Sequence, residues 1–374
     1  MYTVLTGVDT VAQKEKKITR GQLFLFIIQA QIGVGILSLP NKLNETAKGG
    51  GGLSVLVAGV ITQLVIILLW VLLKKFPGLN LFGICIKLGG PIIGSLLIIL
   101  YIGYFILLGS NIMLSAVEVL RRWMLQTTPR WAVLALFSIM TLYLAREKLT
   151  VLARFYTLAS MLFIPLFLFI IYGLTQAHLE NMLPLLEKGF WNIVKGAKET
   201  TISMYGFELM LIIYPLSEGT DKQKLITVSL SNLFVTLFYF FVVSTCLMFF
   251  NSEQIKMIPE PVIYLMKSLS FFIIDRADIL FLPIWTITLV CSIVSYCYAA
   301  SMGFSVLLRR KSHRNFTPFV KIITFIIALA PVTSVGIHLL DTASTYAAYL
   351  FIGGLPLVML IISLFIKRKG SGLA

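Results

Sequence analysis

Charged residues are scarce in this sequence, and acidic residues are the scarcest of them. Only 13% of the 374 residues are charged, and 16 Asp and Glu stand against 31 Lys and Arg, for a net charge of +15. Soluble globular domains carry about 25% charged residues, so the composition excludes that class. The basic residues are dispersed over loops without interleaved aromatics, and no nucleic-acid partner is therefore predicted.

The residues and motifs of common catalytic and metal sites are also few. The four cysteines form no CxxC pair and the three histidines are scattered, so neither a disulfide framework nor a zinc site is predicted. There is no GxSxG motif, and the glycine run 49–52 is not followed by Lys-Ser or Lys-Thr. We predict no catalytic residues, no cofactor and no metal. A membrane enzyme is the function class with the least support.

Long apolar runs fill the space between the charges. Hydrophobic residues make up 58% of the chain, and the mean hydropathy is +0.93. Cutting the chain at its charged residues yields ten runs, of which the fourth is the shortest and weakest. This pattern predicts an all-α integral membrane protein with about ten transmembrane helices in a lipid bilayer. The predicted spans are 21–41, 53–73, 91–117, 131–145, 155–177, 200–217, 225–250, 279–308, 322–340 and 342–366.

The loop charges predict an orientation. An even number of spans puts both termini on one side, and the loops on that side hold more Lys and Arg than the opposite loops. The positive-inside rule then places the basic segment 1–20 and both termini in the cytoplasm. We predict a single membrane domain, 1–374, made of two five-helix repeats, 21–177 and 190–366. Because five is odd, the second repeat is inverted relative to the first.

The first span is predicted to be a broken helix. Gly33 and Gly35 lie at its middle, and Pro40 lies near its end. Glycine is costly inside a helix, and freed backbone groups in hydrocarbon need partners. Close helix packing is the alternative, but it uses small residues four apart, whereas glycines two apart point about 200° away from each other. A functional break is the favoured interpretation.

The sixth span carries a second interruption, in the segment 205–208 (Tyr-Gly-Phe-Glu) before Pro215. Each half of the chain also places a short amphiphilic stretch after its second span, ending near Gly90 in the first half and Ile274 in the second. Paired interruptions of this kind are typical of inverted-repeat transporters, whose ligand site lies at the bilayer midplane between the broken helices.

Glu208 is the acidic residue placed deepest in a predicted span. A charged side chain at mid-membrane costs about 2.5–3.5 kcal/mol on insertion scales, so Glu208 needs a partner or a proton. It is predicted either to hold a ligand's ammonium group or to titrate. The alternative is a neutral, hydrogen-bonded residue that holds the helix break together.

The chemistry of the two breaks suits an α-amino acid. Backbone N–H groups at the helix start after Gly35 favour a carboxylate, and unwound carbonyls beside Gly33 or Gly206 favour an ammonium. Polar residues of spans three and eight are candidate walls. The predicted substrate-binding residues are Gln31, Gly33, Val34, Gly35, Ile36, Tyr104, Tyr205, Gly206, Phe207, Glu208, Thr286 and Ser292. Further candidate wall residues are Tyr101, Asn111, Trp285, Ser295, Tyr296 and Tyr298.

Three segments carry a family resemblance: 31–40 with its Gly-Val-Gly, 205–208 with Pro215, and 276–281 leading to Trp285. Together they resemble the spore germination permeases, the B subunits of nutrient germinant receptors of endospore-forming bacteria. That group belongs to the amino acid, polyamine and organocation transporter superfamily. The resemblance covers essentially the whole chain, although a Gly-x-Gly alone is shared by many permeases.

The resemblance implies a ten-span inverted-repeat fold in the spore inner membrane, working beside a receptor A subunit and a lipoprotein C subunit. It also implies that the first break, the sixth break and the eighth span line a pocket for a small nutrient. One departure concerns coupling: the fifth span lacks the intramembrane lysine of some proton-coupled relatives, and Arg154 lies at its inner edge. The sequence leaves a germinant sensor and an amino-acid permease as competing functions, since one pocket serves both.

Overall fold

The computed structural model describes residues 17–269 and 276–365, and those residues are almost entirely helical. Most of the basic N-terminal segment, the end of the amphiphilic stretch at Ile274 and the end of the last predicted span lie outside the described residues. The helices of the first half of the chain are α1 (Arg20–Gln31), α2 (Gly35–Ala47), α3 (Gly51–Lys75), α4 (Leu81–Trp123), α5 (Arg130–Ala145), α6 (Leu149–Ser160) and α7 (Phe163–Leu174).

The second half repeats the pattern of broken, long and short helices. Within the described residues, six helical stretches of the chain have the length and hydropathy of membrane spans, and the remaining predicted spans correspond to broken or shorter apolar helices. The predicted all-α membrane fold is confirmed. The helices of the second half are α8 (Phe190–Ser203), α9 (Phe207–Leu216), α10 (Asp221–Phe249), α11 (Ser252–Met257), α12 (Pro261–Ser268), α13 (Asp278–Leu307), α14 (Thr317–Leu329), α15 (Ser334–Ala348) and α16 (Leu355–Phe365).

The first predicted span is broken where its glycines stand. A capping box between Thr19 and Gln22 starts α1, which ends at Gln31 because Ile32 adopts an extended conformation with φ −80° and ψ 99°. Gly35 then opens α2, and Pro40 lies inside that helix. The sixth span is broken between α8 and α9, where Gly206 has a φ of +126° that only glycine adopts readily.

The largest differences between the predicted spans and the structure are at the start of the sixth span and at the junction of the ninth and tenth. The helix of the sixth span begins at Phe190 instead of residue 200, because α8 includes the charged residues that precede the predicted start. The ninth and tenth spans meet at residues 330–333 instead of at Asp341. Pro331 follows the end of α14, and the Thr333 side chain caps α15 by accepting from the N–H of Gly336. Asp341 is consequently a helical residue of α15.

Short helices lie in the amphiphilic stretches noted after the second span of each half. In the first half, residues 81–89 form the start of α4, which turns sharply at Gly90 (φ 67°, ψ −166°) before Pro91. In the second half the corresponding element is α12. Gly94 packs so closely on this corner that a Cβ there would lie 2.7 Å from the carbonyl oxygen of Cys85.

Contacts between distant loops show that the helices run back and forth between two ends. At one end, the Asn44 side chain donates to the carbonyl of Ser252 at 2.9 Å, and Arg122 pairs with Glu260. At the other end, the N–H of Ile18 donates to the carbonyl of Leu216 at 3.0 Å. These two ends are called the Asn44 end and the Ile18 end below. Which of them faces the cytoplasm stays a prediction, as does the division into repeats at 177 and 190.

The centre of the bundle is built from α1, α4, α9 and α13. α13 packs along α4 and also contacts α1, and Trp285, Tyr296 and Tyr298 on α13 are fully buried. By contrast, α5 exposes large apolar side chains, with Ile139 67% exposed. Apolar surface of this kind on the outside of a helical bundle is suited to lipid.

Candidate functional site

The two helix breaks touch each other at the middle of the bundle. A Cβ added to Gly206 would overlap the carbonyl of Ala30 and lie 2.8 Å from the backbone nitrogen of Gln31. A Cβ added to Gly35 would lie 2.7 Å from the Cβ of Ser203. The glycines therefore permit the backbones of the first and sixth spans to cross in direct contact.

Polar side chains hold the crossing in place. Gln31 is fully buried, and its Nε2 donates to the carbonyl of Met204 at 3.2 Å. The hydroxyl of Tyr239 donates to the carbonyls of Ser203, at 3.0 Å, and of Gln31, at 3.3 Å. The hydroxyl of Ser292 on α13 donates to the carbonyl of Gln29 at 2.9 Å. Carbonyl groups at the breaks thus have hydrogen-bond donors on α1, α10 and α13.

Glu208 lies immediately after the second break and is only 2% exposed. Its Oε1 accepts from the hydroxyls of Tyr296, at 2.6 Å, and Tyr104, at 3.0 Å. Its Oε2 accepts from the N–H of Gly206 at 2.7 Å. All three donors are neutral, and none of the ion pairs in the described part of the chain includes Glu208. The carboxyl group therefore ties α9 to α4 and α13 and closes its own backbone turn.

A cavity of about 460 Å³ lies beside the crossing, a size that suits a small organic ligand. Its floor is the first break, and α4, α8 and α15 form walls around it. Toward the Asn44 end it is bordered by Lys42 and by Arg122, which is paired with Glu260. Asp341 is the one carboxylate among the described residues that line the cavity.

The structure brings part of the predicted site to this cavity. Among the described residues, those predicted as substrate-binding and lining the cavity are Gln31, Gly33, Val34, Gly35 and Tyr205. The candidate wall residues Asn111 and Tyr296 line it as well. The predicted substrate-binding residues that are absent from its described lining are Ile36, Tyr104, Gly206, Phe207, Glu208, Thr286 and Ser292.

Several of the residues outside the cavity position those inside it. Tyr104 and Glu208 form a hydrogen-bonded group with Tyr296, which does line the cavity. Ser292 is bonded to the backbone of α1, as described above. Thr286 has a local role, since its hydroxyl donates to the carbonyl of Leu282 at 2.7 Å in its own helix.

The wall formed by α15 was missed at the level of sequence. His338, Asp341, Ser344 and Thr345 all line the cavity from this helix. Asp341 was read as the end of a span because the chain was cut at charged residues. The signal that could have corrected this is Pro331, which is followed by a helix-capping threonine two residues later.

Comparison with known proteins agrees with this architecture. The family model described as "Spore germination protein" matches residues 17–336. Spore germination protein YndE of Bacillus subtilis (strain 168) is 27% identical over 357 residues, covering 94% of this chain and 98% of YndE. Spore germination protein GerQB of Bacillus cereus is 24% identical over 357 residues, covering 95% of this chain and 98% of GerQB.

Among solved structures, a Na⁺-coupled sialic acid symporter in a substrate-bound outward-open state has the same fold. Its TM-score is 0.70 at 14% sequence identity, with 98% of this chain and 84% of the symporter covered. At that identity the likeness concerns the fold alone. The chain belongs to the family of spore germination proteins.

Proposed function

We propose that this protein is the germinant-binding membrane subunit of a spore nutrient receptor, and that it senses a small nutrient such as an amino acid to trigger germination. The observation that carries the proposal is the cavity of about 460 Å³ at the crossing of two broken helices, in a chain of the spore germination family. A cavity beside interrupted backbone offers a ligand the main-chain groups that regular helices withhold.

The first break supplies groups for the carboxylate end of an amino acid. Gly35 is the first residue of α2 and lines the cavity, so the free N–H groups and the positive dipole end of that helix favour a carboxylate. Gly33 leaves open space, because a Cβ there would meet nothing within 4 Å. A ligand can therefore approach the backbone closely at Gly33.

Binding at this position would shift an equilibrium between conformations of the bundle, provided that the ligand prefers one of them. The relatives named A2, B2 and KB are all described as spore germination proteins. Together with the family resemblance, this supports a role beside a receptor A subunit and a lipoprotein C subunit. The spore inner membrane, with both termini in the cytoplasm, is the location that fits this role.

Gly33→Ala tests whether the cavity binds the nutrient. A ligand is identified first, by measuring how much each of the twenty amino acids raises the melting temperature of the purified protein. Gly33→Ala is expected to weaken binding of that ligand by about tenfold, or about 1.4 kcal/mol, because the added methyl group occupies the space through which the ligand reaches the backbone. Gly103→Ala is the control, since an added Cβ at Gly103 likewise meets nothing within 4 Å, but Gly103 lies inside helix α4 and outside the described lining of the cavity. Equal effects of the two substitutions, or no stabilising amino acid, would contradict the proposal.

An amino-acid permease is the second candidate, and the symporter-like fold favours it. Uptake separates the two functions. Protein reconstituted in liposomes is expected to bind the stabilising amino acid without accumulating it inside the vesicles, with or without a proton or sodium gradient. Concentrative uptake driven by either gradient would identify a permease instead.

A further inference from the structure

The wall formed by α15 brings a carboxylate to the cavity and bonds it to α4. The Nδ2 of Asn111 donates to the Oδ1 of Asp341 at 3.1 Å. Asp341 is exposed and lines the cavity, and no ion pair of the described residues includes it, although Lys42 and Arg122 border the same cavity. Asp341 thus brings a negative charge that the described protein leaves without a cationic partner.

Two buried amide oxygens on the cavity lining also lack a donor among the described residues. One is the Oδ1 of Asn111, whose amide group is oriented by its bond to Asp341. The other is the Oε1 of Gln31, whose amide group is oriented by its bond to Met204. Gln31 is fully buried. Buried acceptors are unfavourable without a partner, so these two oxygens point to a ligand that donates hydrogen bonds.

The three acceptor groups share one chemistry. A carboxylate and two amide oxygens can accept hydrogen bonds from an ammonium group, which has three donors and no acceptor. The charged carboxylate makes such bonds stronger than those to neutral acceptors. The start of α2 also lines the cavity, and there the helix dipole favours a negative charge.

We propose that Asp341, Asn111 and Gln31 form the subsite for the ligand's ammonium group, so that the cavity selects zwitterions over carboxylic acids that lack an amine. This inference rests on the proposed function and specifies it: Asp341 is the residue that sets the ligand class. It places the amine-recognising charge on α15, away from Glu208, whose carboxyl group is already occupied by three donors.

The experiment compares each stabilising amino acid with its deaminated carboxylic acid, for example alanine with propionate, in binding measurements on the purified full-length protein. The wild type is expected to bind the amino acid more tightly than the acid. Asp341→Asn should weaken binding of the amino acid by about ten- to a hundredfold, the usual worth of a charge-assisted hydrogen bond, and leave binding of the acid within about threefold. Glu253→Gln is the control, because Glu253 is an exposed acid that pairs with Lys256 outside the cavity.

The outcomes distinguish a failure of the ammonium subsite from a failure of the proposed function. An equal loss of amino acid and acid binding in Asp341→Asn, or no loss of either, would overturn the ammonium subsite while leaving the proposed function standing. If no amino acid binds the wild type, the proposed function fails and this inference fails with it. Asn111→Ala provides a second variant, expected to weaken amino acid binding and to spare the acid, for the case in which Asp341→Asn folds poorly.

Discussion

Glu208→Gln is the substitution that best separates a structural role of this carboxyl group from direct ligand binding. The side chain bonds to Tyr104, Tyr296 and the N–H of Gly206, and it lies outside the described lining of the cavity. Glutamine keeps the volume. Its oxygen can accept from Gly206 while its NH₂ group donates to the two tyrosine hydroxyls, which rotate to accept.

The size of the effect depends on the charge of Glu208. A hydrogen bond to a charged group contributes about 1.5–3 kcal/mol, and one between neutral groups about 0.5–1.5 kcal/mol. If Glu208 is ionised, three weakened bonds cost about 3 kcal/mol in total. If it is already protonated, glutamine costs about 1 kcal/mol or less. Glu208→Leu instead strands three buried donors at about 1–3 kcal/mol each, which approaches the whole stability of many proteins.

The assay measures membrane abundance, melting temperature and ligand affinity for both substitutions. We expect Glu208→Gln to accumulate normally and to bind ligand within about threefold of the wild type, and we expect Glu208→Leu to lose most folded protein. Tyr104→Phe is the control that removes one donor to the carboxyl group. Two results would refute this reasoning: normal melting of Glu208→Leu, or a Glu208→Gln protein that melts normally but binds ligand about tenfold more weakly. The second result would show that the carboxyl group contacts the ligand.

Three other predictions concern packing, pH and orientation. Gly35→Ala should reduce membrane abundance as much as ligand response, because its Cβ would lie 2.7 Å from Ser203; a normal abundance would contradict the packing role. Burial lowers the pKa of His313, on the turn between α13 and α14, below its ordinary value of about 6.5. As the pH falls, the unfolded chain therefore binds a proton at His313 before the folded protein does. The stability present above about pH 6.5 should then decrease as the pH drops through that value, and His313→Gln should make the melting temperature less dependent on pH between about pH 7 and pH 5. Cysteines placed at Ser312 and Asn192, after the native cysteines are removed, should react with impermeant reagents from the cytoplasmic and the outer side respectively, and labelling of position 312 from outside would invert the orientation.

Much of the fold could be predicted because its cause is local. Hydrocarbon thickness sets the length of each span, and the backbone cost of glycine marks where the first span breaks. The same holds at Gly206, whose positive φ requires glycine. The boundaries that failed were those where a helix continues past a charge, as in α8 and α15, because a charge that faces a cavity or the end of the bundle does not end a helix.

The candidate site was harder to predict, because its geometry depends on contacts between residues far apart in the chain. Sequence reasoning identified Glu208 as a buried acid in need of partners, but it could not identify Tyr104 and Tyr296 as those partners. It identified Asn111 as a wall residue, but its hydrogen bond to Asp341 spans 230 positions. The packing of the helices determines which polar groups already have hydrogen-bond partners and which remain available to a ligand.

The helix α15 connects the site to an irregular segment of the bundle. α15 contacts α4 at the cavity, and it continues at its far end into a π-helical segment, Tyr349–Gly354, before α16 begins. Such segments interrupt the regular helical ladder and are frequent at functional sites. Within the proposed function, a zwitterion held between the start of α2 and Asp341 joins the first helix break to α15 through its two charges. A ligand that lacks either charge joins only one of them, so the preference for zwitterions and the response of the bundle would have the same physical origin.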